Sequence, residues 1–304
     1  MEFLQLQLGV KAWDAYTKEL FMLRAYLILV FGDIPAISMV MRMTGHNGFL
    51  PCRMCKIHGV QVPNARSSTN YVPLDRSQHP DTLASASEVS AYDPANLPLR
   101  TAEEMLNQAQ EVQSARTAAG GKRLSRKYGI KGIPILSYLK PLSFPWSFPY
   151  DFMHLIWENL IPNLLLLWTA SFKGLNTGIE DYTINNNVFD AIAAATAATG
   201  STIPSTFGAR QPNFRIHKSA CSVETWSFWT LYIGPILLCQ KFTHIKYFKH
   251  FVSLVELLKI CLQFEADVND VQVVHEGFIN WVKEYERCVV FSQITAQVLT
   301  PLWV

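Results

Sequence analysis

FMLRAYLILVFGDIPA, residues Phe21 to Ala36, is an apolar run of branched and aromatic side chains that stops at Gly32, Asp33 and Pro35. Its composition predicts a strand through Phe31. A buried strand that delivers a carboxylate at its C-terminal tip suits a two-metal phosphoryl-transfer site, because Mg²⁺ takes hard oxygen ligands on rigid supports. Asp33 is therefore a candidate Mg²⁺ ligand. It also suits a helix N-cap, since Ile34 and Pro35 follow it and open the helical segment IPAISMVMRM. The residues leave both readings open. Upstream a helix is expected around Ala12 to Leu20, so the local order reads helix, strand, acidic residue.

The 304 residues are 49% hydrophobic and 16% charged, enough apolar material for one large core or two smaller ones. A net charge of +2 excludes a globally basic nucleic-acid binder, so any DNA contact must come from a local patch. The N-terminus MEFLQLQLGVKAWDAY has no basic n-region, long apolar stretch or cleavage site, which points to an intracellular chain. Neither apolar run suits a membrane. Phe21 to Phe31 is shorter than the about 20 residues a spanning helix needs and contains Arg24, while Leu155 to Phe172 carries Glu158, Asn159, Pro162 and Asn163. Of the six cysteines only Cys52 and Cys55 are closely spaced, which implies no disulfide framework.

Three regions follow from composition. Residues 1–60 hold the strand, Asp33 and a Cys-x2-Cys knuckle; residues 61–127 form a loop-rich insertion with one polar helix; residues 128–304 are largely helical by period. In the knuckle, Cys52 and Cys55 with His58 make a candidate Zn²⁺ site, because thiolates two apart on a tight turn can face one ion that wants four ligands. The alternative is a buried thiol pair beside a turn. The polar helix opens at Thr101 on a Thr-x-x-Glu capping box and is expected to run to Gly120 and Gly121. Immediately after it, Lys122, Arg123, Arg126, Lys127 and Lys131 crowd into one stretch, a candidate DNA-backbone surface or a solvated face.

Pro141, Pro145 and Pro149 keep the chain extended until Tyr150 and Asp151 open a long helix, on which Asp151, His154 and Glu158 share a face. An acid and an imidazole one turn apart can bind metal or fix each other's protonation; equally, Asp151 can cap and His154 can pack. Later helices are expected over an alanine-rich segment ended by Gly200 and Pro204, and over TWSFWTLYIGPILLCQKF, YFKHFVSLVELLKICLQF and VNDVQVVHEGFINWVKEYERCVV. No Walker loop or Gly-x-Gly-x-x-Gly occurs, so nucleotide-cofactor chemistry has no support.

In order, the words FxLRAxLxxxxGDIPA, PCRxC, KYGIKGxPxLxxLxxLxFPxSFPYDxMHLxxEN, SxExWSFWTLYxGPxLL and KHFVxLVxLLxxCLQF resemble CACTA-type (En/Spm-like) transposases of fungal genomes, from about Leu8 to Arg287. The resemblance implies an α/β fold that is mainly α: a partial RNase H-like core with a large helical insertion. It implies DNA cleavage and strand transfer at transposon ends by a DDE triad holding Mg²⁺ or Mn²⁺, a nuclear location, DNA as partner and a homo-oligomer. Asp33 would be the second catalytic aspartate, and Asp151-Phe-Met-His154 matches the family's acid-x2-His motif. The chain departs from the family at both ends. The first acid belongs well before Asp33, where the sole aspartate is Asp14 on an expected helix, and the third belongs in a segment that CVVFSQITAQVLTPLWV replaces. Glu224 in SVETW is the substitute candidate, although Trp226, Phe228 and Trp229 beside it read as packing. The expectation is an incomplete, inactive transposase fragment; the alternative is a non-catalytic DNA- or protein-binding module with a structural zinc knuckle.

Overall fold

The computed structural model describes residues 2–46, 48–61, 70–84, 89–172, 180–208 and 210–287. Cys288 and the tail 288–304, the loop 173–179 and parts of the polar insertion at 62–69 and 85–88 lie outside the described residues. Within them the chain is α-rich, with two small antiparallel two-stranded sheets.

Helix α1 (Glu2–Leu8) leads into a hairpin of β1 (Val10–Asp14) and β2 (Glu19–Leu23), in register from Val10 opposite Leu23 to Asp14 opposite Glu19. Two expectations are corrected here. No helix covers Ala12 to Leu20, because Asp14 closes a turn instead: its carboxylate accepts from the Tyr16 amide at 2.8 Å and the Thr17 hydroxyl at 2.9 Å. The strand stops at Leu23 and is not buried. Among the described residues β1 is its one strand neighbour, and β2 exposes all five residues. The chain then runs extended to Asp33, tied to the body where Val30 N–H donates to the Ser147 carbonyl at 2.8 Å.

Helix α2 (Ile34–Val40) begins as its sequence suggests, with Asp33 as N-cap and a proline in the first turn. Its buried Ile37, together with Met41 and Met43, opens a first core completed by Met105, Ala109, Ile130, Leu142 and Phe148. The knuckle follows, then β3 (Val60–Gln61), β4 (Asn70–Tyr71) and the short α3 (Pro80–Ala84).

The polar helix is two helices, α4 (Ala102–Gln113) and α5 (Ala118–Tyr128). The break comes before the glycines, because the Thr117 hydroxyl accepts from Gly120 N–H at 3.0 Å and starts a new helix through them. Half of the expected capping box forms: Thr101 accepts from Glu104 N–H, but the Glu104 carboxylate takes Lys56 Nζ at 2.9 Å. Gly129 ends α5 in the left-handed conformation at φ 71°, where a Cβ would collide with the Leu50 carbonyl.

A π-helical stretch, Met153–Leu160, continues into α6 (Ile161–Trp168), and α7 (Asn186–Thr199) stops at Gly200. Beyond them lie α8 (Val223–Phe228), a π-helical turn at Trp229–Ile233, α9 (Gly234–Leu237), α10 (Ile245–Cys261) and α11 (Val268–Tyr285). The apolar faces of these helices make the largest core, and the stripe Phe251, Val255 and Leu258 of α10 lies in it. Among the described residues no helix is long and apolar enough to cross a membrane.

Just past α11, the buried Glu286 carboxylate accepts from Leu74 N–H at 3.1 Å, joining the helical region to the knuckle region. Burial pushes its carboxyl up from 4.5 to about 7. A raised acid pKa favours the fold fully below the unfolded value, and that contribution is lost as pH rises through the folded one. Stability should therefore fall by roughly 3 kcal/mol between about pH 4.5 and 7 on account of this group. Glu286→Gln keeps an acceptor for Leu74 and should abolish this dependence, leaving the variant more stable than the parent at pH 8 and equal at pH 4; urea midpoints across pH check it.

Candidate functional site

The segments that lead to Asp33 and to Asp151, remote in sequence, are tied to each other at Val30 and Ser147. The extended segment before Asp33 is anchored to Ser147, and Asp151 stands just beyond that anchor. Both aspartates cap helices. Asp33 Oδ1 accepts from Ala36 N–H at 2.6 Å, and Asp151 Oδ1 accepts from the Met153 and His154 amides at 2.9 and 3.3 Å. Asp151 Oδ2 then meets His154 Nδ1 at 2.9 Å, and Glu158 Oε2 lies 3.6 Å from His154 Nε2. So capping and pairing occur in one residue. The hydrogen bond that His154 donates to Asp151 holds its imidazole above the ordinary range, burial opposes it, and the charges of Asp151, Glu158 and Asp33 add to the rise in decreasing order. For Asp151, burial opposes ionisation, but the bonds from His154 and the Met153 amide outweigh it and pull the carboxyl down.

His154 should consequently titrate above free histidine, and Asp151→Asn should bring it down. Because the folded value is raised, the pair favours the fold below the free-histidine pKa and stops doing so as pH rises through the folded one. An NMR titration of the His154 ring in both proteins checks the direction.

The expected metal chemistry fits these residues poorly. Asp33 commits one oxygen to a helix amide and Asp151 commits both of its own, and among the described residues no group of three or more His, Cys, Asp or Glu is arranged to hold a metal ion. Glu224 does not complete a set: it is exposed in the first turn of α8, with its carboxylate against Gly208, while Trp226 and Trp229 are buried in the core.

Beside this cluster, Tyr150 reaches the knuckle. Cys52 Sγ accepts from the Met54 and Cys55 amides at 3.3 and 3.2 Å and lies 3.2 Å from the Tyr150 hydroxyl. A hydrogen bond from the Cys55 thiol, aided by that hydroxyl and the two amides, lowers the Cys52 pKa against the opposing effect of burial; the same bond and burial raise Cys55. Arg53 lies over the Tyr150 ring at 4.1 Å and donates to the Pro149 carbonyl at 3.0 Å. Buried Arg100 donates from Nε to the Cys52 and Cys55 carbonyls at 3.0 and 3.2 Å, fixing the turn. His58, the third expected zinc ligand, has its ring against Phe49 at 5.0 Å, and no third His, Cys, Asp or Glu joins the pair in a metal-holding set among the described residues. The arrangement is a buried thiol pair on a rigid turn.

Lys122, Arg123, Arg126 and Lys127 are all exposed on α5, and Lys131 is exposed just beyond it. At about 100° per residue the four helical positions fall within one face. Sequence reasoning missed Tyr150, Arg53 and Arg100. A Tyr preceding Asp151 and an Arg within the Cys-x2-Cys turn were visible, but nothing in their spacing reveals that they meet.

The chain matches no known family model, no curated protein and no solved structure.

Proposed function

We propose that this chain is a DNA-engaging relative of CACTA-type (En/Spm-like) transposases, which holds transposon-end DNA on the basic face of α5 and does not cut it alone. The observation that carries the reading is the set of exposed basic side chains, Lys122, Arg123, Arg126 and Lys127, along one face of α5. The Asp151–His154 pair agrees with the acid-x2-His word of the family resemblance. The exposed lysines and arginines of α5 supply phosphate contacts, which position a duplex without reading its sequence.

The finer fold reading, an RNase H-like core interrupted by a helical insertion, belongs to the same proposal, as do a nuclear location and self-association. Cutting needs three carboxylates clamping metal around the scissile phosphate. Asp33 instead caps a helix, and Asp151 both caps one and pairs with the His154 imidazole. The expected result with a duplex ending in CACTA is a shifted band on a native gel and no nicked product in Mg²⁺ or Mn²⁺. Metal-dependent nicking that disappears in Asp33→Asn would overturn the non-cutting reading, and the absence of any shift would overturn the DNA-holding one.

A further inference from the structure

Beside the knuckle lies a cavity apart from the basic face of α5. Its volume is about 540 Å³, it lies between α11 and the Cys-x2-Cys turn, and both Cys52 and Cys55 line it. Its walls are apolar, with Val271, Val274 and Phe278 from α11 facing Leu97 and Leu99. That volume accommodates a small molecule, and a largely apolar wall with a few convergent polar groups is the usual character of a ligand pocket. The polar groups on its lining are the Cys52 sulfur, the Tyr150 hydroxyl, the Cys55 thiol and the His275 imidazole.

The two sulfurs are not equivalent. Cys52 Sγ collects hydrogen bonds from two backbone amides and shares one with the Tyr150 hydroxyl, an environment that favours a thiolate as it forms. Cys55 stands three residues on in the same turn, its amide bonded to that sulfur at 3.2 Å and its side chain on the same cavity wall, where a resolving thiol is needed.

We propose that the Cys52–Cys55 pair is a thiol–disulfide exchange site that takes small apolar disulfides through this pocket. The Cys52 thiolate attacks one sulfur of the bound disulfide, forming a mixed disulfide and expelling the first half as a thiolate. Cys55, losing its proton to solvent, attacks Cys52 Sγ and expels the second half. The product is a Cys52–Cys55 disulfide and two molecules of free thiol; the small disulfide is reduced and the protein pair is oxidised by the same two electrons.

The test uses 4,4′-dithiodipyridine, a neutral aromatic disulfide whose released thiopyridone is coloured, and the full chain with Cys221, Cys239, Cys261 and Cys288 replaced by serine. Two equivalents of thiopyridone should appear, at least about tenfold faster than from the same chain unfolded in urea, leaving an internal disulfide by mass. Adding Cys55→Ser should stop the reaction at one equivalent with pyridyl still attached to Cys52. Narrowing the pocket with Val274→Trp, in a protein whose unfolding curve is unchanged, should slow the reaction about tenfold while a thiolate-specific reagent smaller than the pocket reacts as before. Reaction no faster than in the unfolded chain, or a mixed disulfide that persists with Cys55 present, would overturn the proposal. So would one zinc ion per chain in protein purified without chelator and lost on Cys52→Ser, because both sulfurs would then be ligands.

Discussion

Replacing Arg100 with leucine should destabilise the protein by about 3 to 5 kcal/mol, among the largest single-residue effects in the chain. Its side chain is 2% exposed, and besides the two knuckle carbonyls it donates from Nη1 to the Tyr128 carbonyl at 3.0 Å. One guanidinium thus joins the thiol turn, the end of α5 and the segment that opens α4. Leucine would leave three carbonyls without their charged donor in a buried place, and hydrogen bonds to charged groups contribute about 1.5 to 3 kcal/mol each. Arg100→Lys should recover only part of the loss, because a single ammonium cannot reach both sites with a fixed fork. Urea unfolding of the three proteins is the measurement; a loss below about 1 kcal/mol would mean that the turn is held by its own amides.

Trp229→Ala should cost a similar amount, about 3 to 5 kcal/mol. The indole is 1% exposed at the centre of the helical core, with ring centroids of Phe214 at 5.6 Å, Phe251 at 6.2 Å and Trp226 at 6.4 Å. Its Nε1 donates to the Thr196 hydroxyl at 3.1 Å, which couples α7 to the π-helical turn. Thr196 itself donates to the Ile192 carbonyl, so it keeps a partner when the indole goes and the cost is mainly the cavity. Trp229→Phe should accordingly lose far less than the alanine variant, and thermal or urea unfolding distinguishes the two.

Local chemistry made the helices legible where it acted alone. Asp33 before Ile34 and Pro35, Thr101 before an acidic turn, and Gly200 after an alanine-rich run each mark the helix end found in the structure. It failed where neighbours decide. The run from Phe21 is strand-like in composition, yet pairing stops at Leu23, where β1 ends as its partner and the strand lies exposed. The break before α5 turned on the Thr117 hydroxyl, a single hydrogen bond that outweighed the expectation that paired glycines end a helix. At the candidate site, the i,i+3 spacing of Asp151 and His154 was readable, but the tie of the segment before Asp33 to Ser147 comes from a contact remote in sequence. Likewise the Cys-x2-Cys spacing announced a rigid pair of sulfurs, while Tyr150 and Arg100, which set its chemistry, arrive from elsewhere in the chain.

DNA binding through the basic face of α5 is tested most directly by its salt dependence. Anisotropy titrations of a labelled duplex should give a log–log salt slope for the parent that falls by about 3 to 4 when Lys122, Arg123, Arg126 and Lys127 are all changed to alanine, since each phosphate contact contributes about 0.9. A parent whose affinity is insensitive to salt, or a fourfold variant with the parent's slope, would contradict it.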